Sequence, residues 1–157
     1  MIKILFVCHG NICRSPMGEY ILKDMVKKQG LAKEFYIASA AAHRDEIGNP
    51  VYPPARRKLG EMGISCSEKR AILLTADDYN KYDLLLAADS YNVRDMRRIC
   101  GGDPQGKIRR LLDYTSRPRD IADPWYTGDF DRTADDIIEG CRALLSHLKK
   151  EGRMLSC

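Results

Sequence analysis

The segment from Val7 to Pro16, Val-Cys-His-Gly-Asn-Ile-Cys-Arg-Ser-Pro, constrains the fold of this chain more than any other stretch. It completes an apolar run, residues 2–7, that has the length and composition of a buried β-strand. Its final proline suits the first turn of an α-helix. The order strand, loop, helix places Cys8 and Arg14 at the two ends of one tight loop, which faces the positive end of a helix dipole.

Such a loop can bind an anion and present a nucleophile to it. Backbone N–H groups point into the loop, and the guanidinium of Arg14 matches the geometry of a phosphate group. The same positive surroundings favour the thiolate form of Cys8. A lone cysteine after a strand is usually a small core residue. Here the strand, the glycine and asparagine of the loop, and the closing Arg-Ser-Pro together favour a site that attacks a tetrahedral dianion with sulfur.

Strands and helices alternate along the rest of the chain. This pattern predicts a parallel sheet that is covered by helices on both faces, with right-handed crossovers. Ligands of such sheets bind beyond the carboxyl ends of the strands, where Cys8 lies. The predicted strands are residues 2–7, 35–38, 83–88 and 107–112, and the predicted helices are about 16–29, 54–63, 90–100 and 132–151.

The length of 157 residues fits one domain, residues 1–157, with a single sizeable core. No apolar run approaches the roughly 18 residues of a membrane span. The chain begins directly in a strand, without the features of a signal peptide. We therefore expect a cytoplasmic protein that does not associate with membranes.

The charge and the cysteines narrow the choice of partners. A net charge of +4 can steer acidic or phosphorylated partners, but it is too diffuse to indicate nucleic-acid binding. The six cysteines lack the paired CxxC spacing of a zinc site, so we expect no metal. We interpret those outside the loop as ordinary thiols: Cys66, Cys100, Cys141 and Cys157.

Two motifs resemble those of a known family, the low-molecular-weight protein tyrosine phosphatases. Residues 7–16 match the family signature V-C-x-G-N-x-C-R-S-P, with His9 at a position that is usually apolar. Residues 123–126, Asp-Pro-Trp-Tyr, are similar to the family motif D-P-aromatic-Tyr. The resemblance covers nearly the whole chain. It implies a three-layer, doubly wound, flavodoxin-like sheet of four parallel strands, no cofactor, and hydrolysis of phosphotyrosine in proteins and of small aryl phosphates.

The resemblance also implies a mechanism. Cys8 attacks phosphorus and forms a phosphocysteine intermediate, while Arg14 and the loop amides hold the phosphoryl oxygens. Asp123 protonates the leaving phenol and then acts as the base for the water that hydrolyses the intermediate. Further residues are carried over as substrate-binding or phosphate-binding: His9, Gly10, Asn11, Ile12, Cys13, Ser15, Trp125 and Tyr126.

The resemblance implies more specific roles for Asn11, Ser15 and Cys13. It also implies that one further residue, Ser39, supports Asn11. Asn11 holds the shape of the loop in a backbone conformation that asparagine tolerates, and Ser39 on the second strand supports Asn11. Ser15 donates a hydrogen bond to the Cys8 thiolate or caps the helix, or does both. In the family, the cysteine at the position of Cys13 forms a reversible redox pair with the nucleophile; the alternative is that Cys13 is packed behind the loop.

Three positions depart from the family pattern. His9 replaces an apolar residue, either as a solvent-facing side chain or as a source of charge near the pocket. Glu68 stands where many members have a histidine bonded to the asparagine–serine network. Asp45 stands where eukaryotic members often have an aromatic wall residue, so that wall is expected to be open or acidic.

The sequence argues against three other functions for a loop of this kind. A thioredoxin-coupled arsenate reductase needs two closely spaced cysteines after the third strand, and residues 88–95 contain none. A phosphocarrier with a loop cysteine needs neither Arg14 nor a general acid. A non-catalytic phosphotyrosine-binding module would typically have lost Cys8 or Asp123, and both are present.

Overall fold

A parallel sheet forms the centre of the computed structural model, which describes residues 1–153. In these residues four strands lie in the order β2-β1-β3-β4, and every pairing is parallel. The strands are β1 Ile2–Cys8, β2 Phe35–Ala41, β3 Leu84–Ala87 and β4 Ile108–Arg110. The helices are α1 Arg14–Lys28, α2 Pro53–Glu61, α3 Asp78–Lys81, α4 Ser90–Cys100, α5 Pro124–Thr127 and α6 Phe130–Lys150.

The two faces of the sheet bury separate sets of side chains, because successive residues of a strand point to opposite faces. Ile4 and Phe6 of β1 belong to the core cluster that includes α1, α2 and α6. Leu5 and Val7 belong to a second cluster, which includes Met96 of α4. The predicted three-layer, doubly wound arrangement is therefore confirmed. None of the helices in residues 1–153 combines the length and apolar character that a transmembrane span requires.

The carboxyl ends of the strands bring two distant segments together. Val7 pairs with Ala87, so β1 and β3 end at the same edge of the sheet. The N–H of Ala88 donates to the carbonyl of Val7 (3.1 Å), and the N–H of Ile121 donates to the carbonyl of Ala88 (2.9 Å). These bonds hold the segment that leads to Asp123 beside the loop that follows β1.

Several element boundaries differ from the sequence-based prediction by one to three residues, and two of these differences have a clear structural cause. The second strand continues to Ala41, because β1 offers pairing partners as far as Cys8. The fourth strand ends at Arg110 instead of continuing to residue 112, and Leu111–Tyr114 form a 3₁₀ turn. Leu111 is buried against α6, which an extended continuation of β4 would not allow. The short helices α3 and α5 were not predicted.

The packing of α6 on the 3₁₀ turn predicts the effect of adding one methyl group. A Cβ at Gly140 would lie 2.6 Å from Cγ of Leu111, whereas a Cβ at Gly60 of α2 would meet no neighbouring side chain within 4 Å. We expect Gly140→Ala to lower the free energy of unfolding by about 1–3 kcal/mol through overpacking. Gly60→Ala should raise it by about 0.5–1 kcal/mol. Urea denaturation measures both, and stabilisation by both variants would contradict tight packing at Gly140.

Candidate active site

The loop between β1 and α1 lines a cavity of about 590 Å³ at the carboxyl edge of the sheet. Most of the residues predicted for the site line this cavity, namely Cys8, His9, Gly10, Ile12, Cys13, Arg14, Asp123, Trp125 and Tyr126. Asn11, Ser15 and Ser39 are instead buried among other side chains and do not line it. The structure therefore brings both sequence motifs to one cavity and leaves the predicted supporting residues outside its lining.

The start of α1 leaves backbone donors available to this cavity. The N-cap residue, Cys13, makes no side-chain capping hydrogen bond. The N–H of Ser15 points to the sulfur of Cys8 at 3.3 Å. Uncapped N–H groups at a helix N-terminus, together with the helix dipole, attract an anion.

Asn11 gives the loop its shape. Its backbone is left-handed, with φ of 59°, a conformation that costs energy for most side chains but less for asparagine. Its Oδ1 accepts from the N–H of Ile72 (3.1 Å), so its Nδ2 must be the donor to Ser15 Oγ (2.8 Å) and Ser39 Oγ (2.9 Å). Three side-chain hydrogen bonds thus hold Asn11 in its conformation, and the predicted contact with Ser39 is present.

A buried carboxylate, Glu19, accepts the proton of Ser39 at one end of this network, and the sulfur of Cys8 lies at the other end. Glu19 Oε1 lies 2.6 Å from Ser39 Oγ, and an ionised carboxylate only accepts, so Ser39 donates to it. Ser39 and Ser15 then both accept from Asn11. The remaining proton of Ser15 is free to point at the Cys8 sulfur, 3.0 Å from its Oγ. Cys8 therefore receives two hydrogen bonds, from the hydroxyl and the backbone N–H of Ser15.

Arg14 is held in the cavity by a carboxylate that sequence analysis missed. Its Nη1 donates to Asp89 Oδ2 at 2.6 Å and to the carbonyl of Ile121 at 2.8 Å. Burial disfavours the guanidinium cation, but Cys8 and Asp89 together raise the pKa of Arg14 above its ordinary value. Asp89 was recognisable in principle, because it directly follows a buried strand and opens the next helix, where ligand sites of parallel sheets lie.

Asp123, the first residue of the second sequence motif, lines the same cavity as Arg14. Its Oδ1 accepts from the N–H of Trp125 at 3.0 Å and so caps α5. Its Oδ2 lies 3.5 Å from Nη2 of Arg14. Because one oxygen fixes the side chain, the other is held on the side of the cavity where Arg14 presents its guanidinium.

Exposed aromatic side chains surround the mouth of the cavity. Trp125 and Tyr126 were predicted, and Trp125 is supported from behind by Tyr52, with ring centroids 4.8 Å apart. Tyr91, near the start of α4, was not predicted and is 66% exposed. An aromatic side chain is thus present at the rim, although it comes from α4 and not from the position of Asp45.

Two stacked histidines form part of the rim. The rings of His9 and His43 are 4.1 Å apart. His9 Nε2 lies 2.7 Å from Asp45, and His43 Nε2 lies 2.8 Å from Asp95. Partial burial opposes ionisation of Asp95, but the hydrogen bonds from His43 and a nearby arginine keep its pKa below the ordinary value. His9 therefore lines the cavity and also contacts His43 and Asp45, so it is more than a solvent-facing side chain.

Beside Glu68, which departs from the family pattern, the neighbouring lysine contacts the asparagine–serine network. Glu68 is exposed, whereas Lys69 is turned inward. Lys69 Nζ donates to the backbone carbonyl of Ser39 at 2.9 Å. The backbone between residues 66 and 70 decides which side chain faces the network, and residue spacing alone did not show this.

The cysteines differ in their surroundings. Cys8, Cys13, Cys66, Cys100 and Cys141 are free thiols. Burial, the neighbouring Cys8 and Asp123 together raise the pKa of Cys13 far above its ordinary value. Cys157 lies outside the described residues. Within residues 1–153 no three His, Cys, Asp or Glu side chains are grouped as metal ligands.

Comparisons with known proteins agree with this geometry. Residues 3–154 match a sequence model described as low molecular weight phosphotyrosine protein phosphatase. The chain is 38% identical to the low molecular weight protein-tyrosine-phosphatase YfkJ of Bacillus subtilis, covering 98% of this chain and 100% of YfkJ. It is 33% identical to the human low molecular weight phosphotyrosine protein phosphatase, covering 91% of this chain and 93% of the human protein.

Solved structures of similar proteins have the same fold as this chain. The crystal structure of YfkJ superposes with a TM-score of 0.92 at 38% identity, covering 96% of each chain. The crystal structure of DARP, a Drosophila arginine phosphatase, superposes with a TM-score of 0.87 at 29% identity, covering 94% of this chain and 98% of DARP. The fold is thus shared with phosphatases whose names specify two different phosphorylated groups.

The contrast between Cys8 and Cys13 predicts selective alkylation. Iodoacetamide at neutral pH should modify Cys8 well before Cys13, because thiolates react and Cys13 is kept in its thiol form. Inorganic phosphate should slow the reaction at Cys8 by occupying the loop. Mass spectrometry of the loop peptide locates the label. Equal labelling of the two cysteines, or labelling that phosphate does not slow, would contradict this arrangement.

Proposed function

The chain belongs to the low molecular weight phosphotyrosine protein phosphatase family, and from this membership we propose how its own residues carry out the reaction. It is a cysteine-dependent protein tyrosine phosphatase. The observation that carries the assignment of roles is the loop with Cys8 at one end, Arg14 at the other, and two hydrogen-bond donors aimed at the Cys8 sulfur.

In the first step, the Cys8 thiolate attacks phosphorus. A sulfur–phosphorus bond forms while the bond between phosphorus and the phenolic oxygen breaks. Asp123 transfers its proton to that oxygen, because a phenolate with an ordinary pKa of about 10 is a poor leaving group at neutral pH. The guanidinium of Arg14 and the uncapped amides of the loop hold the equatorial oxygens.

In the second step, water hydrolyses the phosphocysteine. Asp123, now ionised, takes a proton from the water as its oxygen attacks phosphorus. The sulfur–phosphorus bond breaks, and the thiolate of Cys8 leaves. The hydrogen bond from Ser15 stabilises the charge on sulfur at this point, as it did before the first attack.

The cavity suits an aryl group because apolar and aromatic side chains line it above the phosphate loop. Ile12 lies within the loop, and Tyr91, Trp125 and Tyr126 surround the mouth. Aromatic rings pack favourably against a phenyl ring and add about 0.5–1.5 kcal/mol per pair. These contacts support phosphotyrosine in proteins, and small aryl phosphates, as substrates.

Phosphoarginine is the second candidate substrate, because two structural neighbours, DARP and YwlE, are named arginine phosphatases. Carboxylates of the cavity, such as Asp45 and Asp95, are able to accept hydrogen bonds from a guanidinium. The aromatic rim and the names of the family and of YfkJ favour phosphotyrosine. Peptides that carry phosphotyrosine or phosphoarginine in the same sequence distinguish the two.

A turnover assay tests the proposed function directly. Wild type should release phosphate from p-nitrophenyl phosphate and from a phosphotyrosine peptide in molar excess over enzyme, with a metal chelator present. Cys8→Ser should retain phosphate binding but lose turnover, because the loop does not ionise a hydroxyl group at neutral pH. Release limited to one equivalent per enzyme would indicate a phosphocarrier, and residual activity of more than a few per cent in Cys8→Ser would contradict covalent catalysis.

The role of Asp123 predicts a dependence on the leaving group. Asp123→Asn should slow hydrolysis of phenyl phosphate by about 10²–10⁴-fold, because the phenolate then leaves without a proton. The loss should become smaller as the phenol becomes more acidic. A series of substituted phenyl phosphates measures this, and equal losses across the series would exclude Asp123 as the proton donor.

The charge around the cavity supports a preference for basic sequences beside the phosphotyrosine. The chain as a whole carries a charge of +4, yet carboxylates dominate the cavity lining. Asp45 is 66% exposed at this rim and is paired with His9. A rim carboxylate repels acidic residues of a bound peptide and attracts lysine or arginine. The carboxylates that line the cavity are Asp45, Glu46, Asp89, Asp95, Asp120 and Asp123.

We expect Asp45→Asn to weaken this preference. The ratio of kcat/KM for a peptide with lysines beside the phosphotyrosine to that for one with glutamates should fall up to about fivefold, as is typical of an exposed charge. Asp24→Asn, which removes a carboxylate of α1 that pairs with Lys28 and lies outside the cavity lining, serves as a control for net charge. An equal change in both variants, or none in either, would show that Asp45 does not contact the peptide.

Cys13 is our candidate for a redox partner of Cys8. Peroxide would oxidise the Cys8 thiolate to a sulfenic acid, and Cys13 would then displace water to form a disulfide. Both thiols are free and lie on one loop, which supports the proposal. The free thiols also support a reducing compartment such as the cytoplasm.

A further inference from the structure

A second cavity, of about 450 Å³, adjoins the catalytic cavity at Trp125, whose side chain lines both. Tyr52 and the helix α2 that follows it line one side of this second cavity, and α5 with the first turn of α6 lines the other. We call this cavity the side groove. Apart from Trp125, its lining residues take no part in the proposed reaction.

Aromatic rings form the floor of the side groove. The ring centroid of Tyr52 lies 4.8 Å from that of Trp125 and 6.1 Å from that of Phe130. Tyr52 and Phe130 are half-buried and pack against a small cluster of core residues, whereas Trp125 is 52% exposed. Long charged side chains can lay their methylene groups along such an apolar surface while the charged end stays at the rim.

The charged side chains that line the side groove have partners, with one exception. Lys58 Nζ lies 2.8 Å from Oδ1 of Asp131 and 3.5 Å from Oε1 of Glu61. The carboxylate of Asp129 caps α6. Arg57 is exposed, and within residues 1–153 its guanidinium forms no ion pair and no side-chain hydrogen bond. The side groove therefore presents one cation that an acidic group from another molecule can pair with.

A polypeptide substrate must lie across the surface beside the catalytic cavity, because only its phosphotyrosine side chain enters that cavity. Each extended residue adds about 3.3–3.6 Å of reach. Since the side groove shares Trp125 with the catalytic cavity, a residue a few positions from the phosphotyrosine can reach it. This continuity makes the substrate itself the occupant that the geometry favours.

We propose that the side groove binds an acidic side chain of the phosphotyrosine substrate, and that Arg57 is the residue that recognises it. A glutamate or aspartate carboxylate pairs with the guanidinium of Arg57 through two parallel hydrogen bonds, a geometry that suits arginine. The methylene groups of the same side chain pack on Tyr52 and Trp125. The inference rests on the proposed hydrolysis of phosphotyrosine in proteins. Because Asp45 favours basic residues, the substrate meets charges of opposite sign at two places beside its phosphotyrosine.

The test measures peptide binding separately from turnover. Cys8→Ser, which is expected to retain phosphate binding, serves as the parent protein, and fluorescence anisotropy gives the Kd of labelled phosphotyrosine peptides. In a peptide series, a single glutamate replaces glutamine in turn at each of about four positions on either side of the phosphotyrosine, the reach of an extended chain to the side groove. Glutamate at one or two of these positions should tighten binding about two- to fivefold, as an exposed ion pair does.

Three variants of the parent protein separate the contact from a general effect of charge. Arg57→Gln should remove the gain from glutamate. Arg57→Glu should reverse it, so that lysine at the same peptide position binds more tightly than glutamate. Arg56→Gln is the matched control, because Arg56 is the preceding residue of α2, is also exposed, donates to the carbonyl of Val51 at 3.3 Å and does not line the side groove. Its gain from glutamate should equal that of the parent.

Three results would overturn the proposal: no gain from glutamate at any position in the parent, a gain that persists in Arg57→Gln, or an equal loss in Arg56→Gln, which would show attraction by net charge alone. Circular dichroism and thermal melting show that the compared variants are folded. Failure of the enzyme with Cys8 intact to hydrolyse any phosphotyrosine peptide would overturn the proposed function. The two failures are distinguishable, because the first appears in the comparison of Kd values and the second in turnover.

Discussion

The left-handed backbone at Asn11 is the constraint on which the site depends. A loop that turns its amides towards one point must reverse direction within a few residues, and here the reversal occurs at φ of 59°. The hydrogen bonds of the Asn11 side chain to Ser15, Ser39 and the N–H of Ile72 offset the cost of that conformation. They also tie the loop to β2 and to the segment beyond it, so the loop is shaped by parts of the chain that are far from it in sequence.

Electrostatics in the cavity follows from a small number of compensated charges. In the proposed reaction Arg14 is the cation that binds the phosphoryl group, and its ion pair with Asp89 orients the guanidinium. Other carboxylates at the rim have partners of their own, such as His9 for Asp45 and Arg110 for Asp120. In the proposed reaction a dianion therefore meets Arg14 and the loop amides as its donors, while Asp45 and Asp120 stay bound to side chains at the rim.

Local sequence was sufficient for the nucleophile and its immediate surroundings. Cys8 and Arg14 belong to one continuous segment, and a strand followed by a tight loop and a helix can arrange them in few ways. Trp125 and Tyr126 were found for the same reason, since they belong to the same four-residue motif as Asp123. Tyr91 and Asp89 were missed, because only the parallel pairing of β1 with β3 brings the start of α4 to the cavity. Lys69 was missed because the side of an irregular loop on which a residue lies is not encoded in spacing.

The sequence by itself determined the alternation of strands and helices, the parallel sheet, and the loop that carries Cys8 and Arg14. Apolar periodicity and the residues that begin and end elements act over a few positions, so they can be recognised without coordinates. Only the tertiary structure decided which carboxylate orients Arg14, which aromatic completes the rim, and which lysine contacts the carbonyl of Ser39. Those contacts join residues up to 75 positions apart, as Arg14 and Asp89 are, and depend on side-chain directions that are fixed only when the whole core packs.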